Sequence, residues 1–462
     1  MIAKAIEEKL PQVKETNPEI LAHHLTEAGQ IEAALPHWQK AGELTIQRLA
    51  FAEAISHLRK GLELIPRLPP GRQRDAYELD LRSLLGTATL AVKGWAAQDV
   101  TRILEPALPL ALSLGRNEAL LPIIWGLFWN VMSPGRAAES IKWAREMVRI
   151  AEVTSDSDLV ITAQVLMSAT YYWTGEYVSC LKHRDEVEKL YDPVKHYHLA
   201  GILNEDPKTL VGSYAATVTW ILGYPDRAAQ LCEETNAHAR LRGHPFDQGF
   251  ALTEGGEVYL LRGEPDHFKM LAEQCAAIGR ENSLPVLWGF MATTYGGLAD
   301  IESGRFADGI KALKSGISLW EAGDGHLCIP WYKTMMAVGM ALAGDIDAAL
   351  PIVEEAIDQI ERPGWEERLY YAEALRVKGW MLAMKGNADA AEACYLTSLE
   401  WARKQQARSW ELRTATSLAR LLQQQRKNSE ARALLAPILN WFTEGFDTRD
   451  LKAAKAVLEE LG

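Results

Sequence analysis

Gly344-Asp-Ile-Asp-Ala-Ala-Leu-Pro-Ile-Val-Glu-Glu-Ala356 is the stretch on which the fold turns. Gly344 closes an apolar helix predicted over 330–343. Asp345 and Asp347 stand where an N-cap or a first-turn acid helps a helix begin. Ala349, Val353 and Ala356 then recur at i, i+4 and i+7, one face of a second helix over 348–360. The same turn element returns as Gly135-Arg-Ala-Ala, Gly175-Glu-Tyr, Gly223-Tyr-Pro-Asp, Gly263-Glu-Pro-Asp, Gly304-Arg-Phe-Ala and Gly386-Asn-Ala-Asp. In the last unit Arg426-Lys-Asn-Ser takes its place. Successive steps are 40, 48, 40, 41, 40, 42 and 40 residues. A fixed period in this range specifies stacked helical hairpins. The predicted fold is all-α, a right-handed α-solenoid of hairpins.

Small residues recur seven positions before the turn, at Gly256, Gly297, Ala337, Gly379 and Ala419. A small side chain there lets the two helices of a hairpin approach closely. A small residue, a turn glycine, then alanine and a bulky residue on the second helix resemble the tetratricopeptide (TPR) pattern. Gly29, Ala34, Trp38 and Ala41 show it clearly. The usual TPR period is about 34 residues, so helices roughly a turn longer are expected here. The repeat region is expected to run over 19–462 with about eleven hairpins. Two places break the period. Turns near Gly29 and Leu49 are close together, so one helix over 32–47 serves both. The 48-residue step holds its extra residues between Tyr191 and Pro207. Insertions in solenoids map to loops on one face, often the binding face.

The chain carries 49 Lys+Arg against 61 Asp+Glu, a net charge of -12. Such a chain repels phosphate backbones and anionic bilayers, so neither nucleic acid nor membrane is the expected partner. The five cysteines are far apart, odd in number and without a Cys-x-x-Cys, which fits reduced thiols in a cytoplasmic protein. The longest apolar run, 119–132, is too short to span a bilayer and contains Pro122 and Asn130.

A resemblance emerges in the C-terminal stretch. Its segments are Gly364-Trp-Glu-Glu-Arg-Leu-Tyr-Tyr-Ala-Glu-Ala-Leu-Arg-Val-Lys-Gly, Ala407-Arg-Ser-Trp-Glu-Leu-Arg-Thr-Ala-Thr-Ser-Leu-Ala-Arg-Leu and Trp441-Phe-Thr-Glu-Gly-Phe-Asp-Thr-Arg-Asp-Leu-Lys-Ala-Ala-Lys. They resemble the C-terminal TPR-like region of bacterial signalling proteins that carry a class III adenylate/guanylate cyclase domain and an AAA-type ATPase. Leu21-Ala-His-His-Leu-Thr-Glu-Ala-Gly and Trp220-Ile-Leu-Gly-Tyr-Pro-Asp agree with it. The resemblance implies a helical-repeat sensor or scaffold, with residues 1–18 as a junction to the preceding ATPase. It leaves the chain as an excised region, a split gene product or a stand-alone relative. Ile202-Leu-Asn-Glu-Asp-Pro departs from the family, which tends to place Tyr-Gly before Asp-Pro.

No phosphate loop, His-Glu-x-x-His or Gly-x-Ser-x-Gly occurs, so no catalytic residue, cofactor or metal is assigned. Aligned as TPR helices, the inner positions hold Trp125, Trp129, Tyr172, Trp173, Thr217, Trp220, Phe250, Arg376, Trp380 and Arg420. Aromatics and arginine are the usual anchors of binding surfaces, and these residues are the candidate concave-groove contacts. Burial between the repeats is their alternative role. His196, His198 and Asp206 are the candidates on the inserted loop. The expected function is non-enzymatic binding of a protein, a peptide or a small effector. A stand-alone adaptor is the second reading, and an enzyme with its site in the groove the third.

Overall fold

The structure, a computed structural model, describes residues 16–462 apart from 49, 95 and 98. The junction segment 1–18 lies almost wholly outside the described residues. All regular structure described is helical, and no strand occurs among the described residues. The chain falls into two compact units. One holds residues up to Pro134 with Ile150–Asp156 and Gly323–Gly325; the other holds Gly135–Arg149, Ser157–Ala322 and His326–Gly462.

The first unit contains the helices Pro18–Glu27, Ile31–Gln47, Phe51–Leu64, Arg72–Lys93, Asp99–Leu104, Ala107–Leu114 and Asn117–Met132. Ile31–Gln47 packs on the helices before and after it, as the closely spaced turns require. Trp38 is buried there, and its Nε1 donates to Thr26 Oγ1 at 3.1 Å. Gly42 permits close approach to the next helix, since a Cβ at that position would sit 2.4 Å from Leu58 Cδ2.

In the second unit the hairpins follow one another with the expected turns. Ile329–Leu342 is joined to Ile346–Ile360 by Ala343, Gly344 and Asp345. The Gly344 N–H donates to Ala341 O at 3.1 Å and the Asp345 N–H to Met340 O at 2.9 Å. That pair of bonds ends a helix through a residue in the left-handed region. Gly344 has φ +99°, and all seven period glycines have φ between 75° and 101°. Arg426 takes the same conformation at φ 63° without the freedom of glycine. Asp345 and Asn387 cap the following helices, accepting from the N–H groups of Ala348 and Ala390.

Small residues let helices meet where the sequence pattern places them. Ala337 and Ala419 are fully buried. At the hairpin of Ala292–Glu302 and Phe306–Glu321, a Cβ on Gly309 would lie 2.8 Å from the backbone oxygen of Gly297. Backbone yields less than a side chain. Gly309→Ala is therefore expected to lower stability by ~1–3 kcal/mol, despite alanine's better helix propensity. Urea unfolding checks this, and an unchanged midpoint would refute the close-approach role.

The second unit does not stop at neighbour-to-neighbour packing. Tyr177 OH donates to Leu369 O at 2.7 Å, across 192 residues of chain. Ser409 Oγ donates to Trp220 O at 2.5 Å, and Arg413 Nη2 to Leu261 O at 2.9 Å. Glu444 accepts from the backbone N–H groups of Asp226 and Arg227. The early hairpins of this unit thus curl round to meet its late ones. Large inner side chains, described next, bridge the space between them.

Candidate functional site

The inner helices of the second unit carry a layer of aromatic rings and buried carboxylates. Tyr172 stacks on Tyr214 with ring centroids 4.0 Å apart, and its hydroxyl donates to Glu254 at 2.8 Å. Tyr295 bonds the other oxygen of Glu254. Three residues on, Glu257 accepts from Trp331 Nε1 at 2.7 Å and from the Tyr370 hydroxyl at 2.5 Å. Trp331 and Tyr370 also stack, 4.2 Å apart. Glu367 accepts from the backbone N–H of Cys328 at 3.0 Å. Glu254 sits in a π-helical segment, Ala251–Gly255, inserted between Pro245–Phe250 and Glu257–Arg262.

These carboxyls lie in a low-dielectric interior. Burial pushes Glu257 up to about 8, with the neighbouring Glu254 charge adding to it. Burial likewise raises Glu367 to about 8, against the Cys328 N–H bond that opposes it. Glu254 is raised by burial, while Tyr295 and Tyr172 pull it down. An indole only donates and the phenols here donate too, so the glutamates serve as acceptors. The carboxyls of the layer are thus buried, hydrogen-bonded and shifted toward the protonated form.

Beside it stands a charged cluster. Glu373 accepts from Arg376 at 2.7 Å and from Arg413 at 3.2 Å, and Arg413 also pairs with Asp450 at 2.6 Å. The Arg413 guanidinium lies over Trp220 and Trp410, 4.8 and 5.0 Å from the ring centroids. Burial would raise the Glu373 carboxyl, but Arg376 and Arg413 outweigh it and hold it down at about 2.

The candidate groove residues divide by accessibility. Tyr172, Trp173, Thr217 and Trp220 are buried inside the second unit, and Phe250 is half-buried against Tyr214. Arg376 and Trp380 are half-buried and Arg420 is exposed, on the helices Tyr371–Met384 and Arg408–Gln424. In the first unit Trp125 is buried and Trp129 half-buried, edge-to-face at 5.7 Å on one helix. The layer brings in Glu254, Glu257, Glu367, Tyr214, Trp331 and Trp410, which sequence reasoning did not single out. Their one signal was an acid within an apolar helix, as in Phe250-Ala-Leu-Thr-Glu-Gly-Gly-Glu257.

The inserted loop is anchored at its base. His196, Leu199 and Leu203 are buried, while Val194 and Tyr197 are exposed. Asp206 caps the helix Pro207–Ile221 through the Thr209 N–H and accepts from Tyr191 at 2.6 Å; His238 Nε2 lies 3.0 Å away. Burial alone raises the Asp206 carboxyl, but the bonds from His238, Tyr191 and Thr209 outweigh it and hold it low. His198 pairs with Asp158 at 2.8 Å. Loop and caps are thus joined by these residues. Among the described residues no group of three or more His, Cys, Asp or Glu is arranged to hold a metal ion. The five cysteines are free, and burial pushes Cys180, Cys232 and Cys275 up to about 12. No described helix is long and apolar enough to cross a membrane.

Comparison with protein-family models gives no match. A curated relative, an uncharacterized protein of Rhizobium meliloti (strain 1021), is 23% identical over 414 residues. The match covers 87% of this chain but only 39% of that longer protein. Among solved structures, the Rap protein complexed with competence and sporulation factor aligns with a TM-score of 0.55 and 11% identity, over 82% of this chain and 99% of that one. Cut9 of the APC/C hetero-tetramer Cut9-Hcn1 aligns with a TM-score of 0.50 and 12% identity, over 96% and 83%. Together with the hairpins described above, these likenesses establish an all-α fold of TPR-like helical repeats.

Proposed function

We propose that this chain is a non-enzymatic binding module. In this reading it acts in the cytoplasm as the sensor or scaffold region of a cyclase- or ATPase-linked signalling protein and holds a protein or peptide partner. The TPR-like fold is the observation that carries the reading. The Rap structure, of like fold, holds a factor. The longer Rhizobium meliloti relative, matched over 39% of its length, supports a place within a larger protein. A partner that biases a neighbouring output domain must bind its two states with different affinity.

Of the candidate contacts in the second unit, Phe250, Arg376 and Trp380 are half-buried and Arg420 exposed, and the last three form the proposed contact strip. Arg376 is held by Glu373, so the exposed Arg420 with the Trp380 indole is the part that favours an acidic segment with an apolar anchor. Trp380→Ala with Arg420→Ala is expected to abolish partner recovery from source-cell extract while the melting temperature stays within a few degrees. A double variant that retains every partner would sink the strip. Immunoblotting of the native protein separates the two settings. A band much larger than this chain indicates the sensor region of a multidomain protein, and a band of its own size a stand-alone adaptor.

A further inference from the structure

An open cleft of about 590 Å³ lies in the second unit, lined in part by Glu366 and Arg368 on either side of Glu367. Four segments form it: the helix face of Ala138, Ile141 and Arg145, the turn at Gly175, the stretch around Arg368, and the helix end at Trp401–Gln406. They are held together by backbone. The Arg368 N–H donates to Trp173 O at 2.8 Å. Gly175 makes the approach possible, since a Cβ there would lie 2.1 Å from Gln405 Nε2 and 2.9 Å from Arg368 O.

Gln405 is the informative residue. It is 8% exposed and lines the cleft. Its Nε2 donates to Arg368 O at 3.0 Å, which fixes the orientation of the amide. Its Oε1 is buried and accepts no hydrogen bond. A buried acceptor left unpaired is costly, and a ligand donor placed there would satisfy it.

The charge around it points to an oxyanion. Arg145, Arg368 and Lys404 line the cleft against Glu176 and Glu366. Glu366 is already paired with Arg368 at 3.2 Å. Arg145 and Lys404 are exposed and have no carboxylate partner among the described residues; the Lys404 ammonium lies over the Trp401 ring, 4.3 Å from its centroid. The helix Tyr177–Leu190 also begins here, with no side-chain cap and no acid in its first turn. Its first residues, Tyr177, Val178 and Ser179, border the cleft. Unpaired N–H groups at a helix start favour an anion, and the exposed Arg145 and Lys404 add to that against the Glu176 carboxylate at the N-cap.

We propose that this cleft binds a small molecule bearing a compact oxyanion, phosphate ester or carboxylate, together with a hydroxyl or amino donor that reaches Gln405. The anion meets Arg145, Lys404 and the helix start, while the donor completes the Gln405 amide. Bound there, the molecule would tie together the segments whose meeting closes the unit. Such an effector site suits a sensor, yet it does not depend on the partner strip.

Calorimetric titration of the full chain tests it, with glycerol 3-phosphate and malate as the two anionic probes and glycerol as the uncharged one. Saturable binding of either anion, weakened about tenfold or more by Arg145→Ala with Lys404→Ala, is the expected result. Binding of the phosphate ester alone identifies the phosphate source, and of malate alone the carboxylate source. Lys311→Ala with Lys314→Ala removes the same charge from exposed lysines elsewhere and is expected to leave binding unchanged. Equal weakening by both pairs, equal binding of glycerol, or no anion binding at millimolar concentration would each overturn the proposal. Loss of partner recovery in the Trp380 and Arg420 variant has no bearing on this result.

Discussion

Arg413→Ala is expected to destabilise the chain by ~3–5 kcal/mol, the cost of breaking a buried ion pair from one side. The Arg413 side chain is 10% exposed, against 4% for Glu373 and 18% for Asp450. Its removal takes away the Leu261 carbonyl bond and both ring contacts as well. Glu373 keeps Arg376, but Asp450 is left with only Arg449 at 3.7 Å. Arg413→Lys keeps the charge and loses the planar fork, so an intermediate loss is expected. Urea unfolding at neutral pH measures both. A loss below ~1 kcal/mol, the size of an exposed pair, would mean that the cluster is not holding the unit together. Because Glu373 is held at about 2, its contribution is full above the ordinary glutamate range and disappears as pH falls through about 2.

The interior glutamates work in the opposite direction. Glu257 and Glu367 keep their protons up to about 8 in the folded chain, while the unfolded chain gives them up in the ordinary glutamate range. The folded state therefore binds more protons between these limits, and stability falls as pH rises. The stabilisation is full below the unfolded value and is lost by the time pH passes about 8. Each such carboxyl accounts for a loss on the order of 5 kcal/mol across the window. Glu257→Gln keeps an acceptor oxygen for the Trp331 N–H, and its amide N–H faces a Tyr370 hydroxyl that can turn to accept. It is expected to match the parent near the acid end and to exceed it at pH 8, flattening the profile. Glu367→Gln is expected to flatten it likewise. Unfolding midpoints taken along the pH series decide this, and a profile equally steep in both variants would refute it.

The parts of this fold legible in the sequence are those set by short-range chemistry. Gly344 marks a turn because the following Asp345 caps a helix and the backbone there is left-handed. Ala349, Val353 and Ala356 share a face because helical geometry places them so, and all three are fully buried. The closely spaced turns near Gly29 imply one shared helix, and Ile31–Gln47 is that helix. The inner layer was not legible in the same way. Tyr172 and Glu254 are 82 residues apart, and Glu257 and Trp331 74. Their meeting depends on a small rotation per repeat accumulated over several hairpins, which no local pattern encodes. Residue type drew attention to Trp173 and Trp380 alike, yet one is buried and the other half-accessible. Glu254 and Glu257 were passed over because an acid on a helix ordinarily faces water.

The curl of the second unit changes what kind of object it is. An open array of repeats has low contact order and unravels from its ends, each repeat almost independent of those far away. Here the Glu444 bonds join positions 218 residues apart, and Tyr177 and Leu369 are 192 apart. Closing such loops carries an entropic cost that a linear stack avoids. In return the ends are no longer free to fray, because the last hairpins are a wall for the first. Such a unit is expected to melt as a single cooperative block, and trimming its final helices is expected to remove support from hairpins near its start.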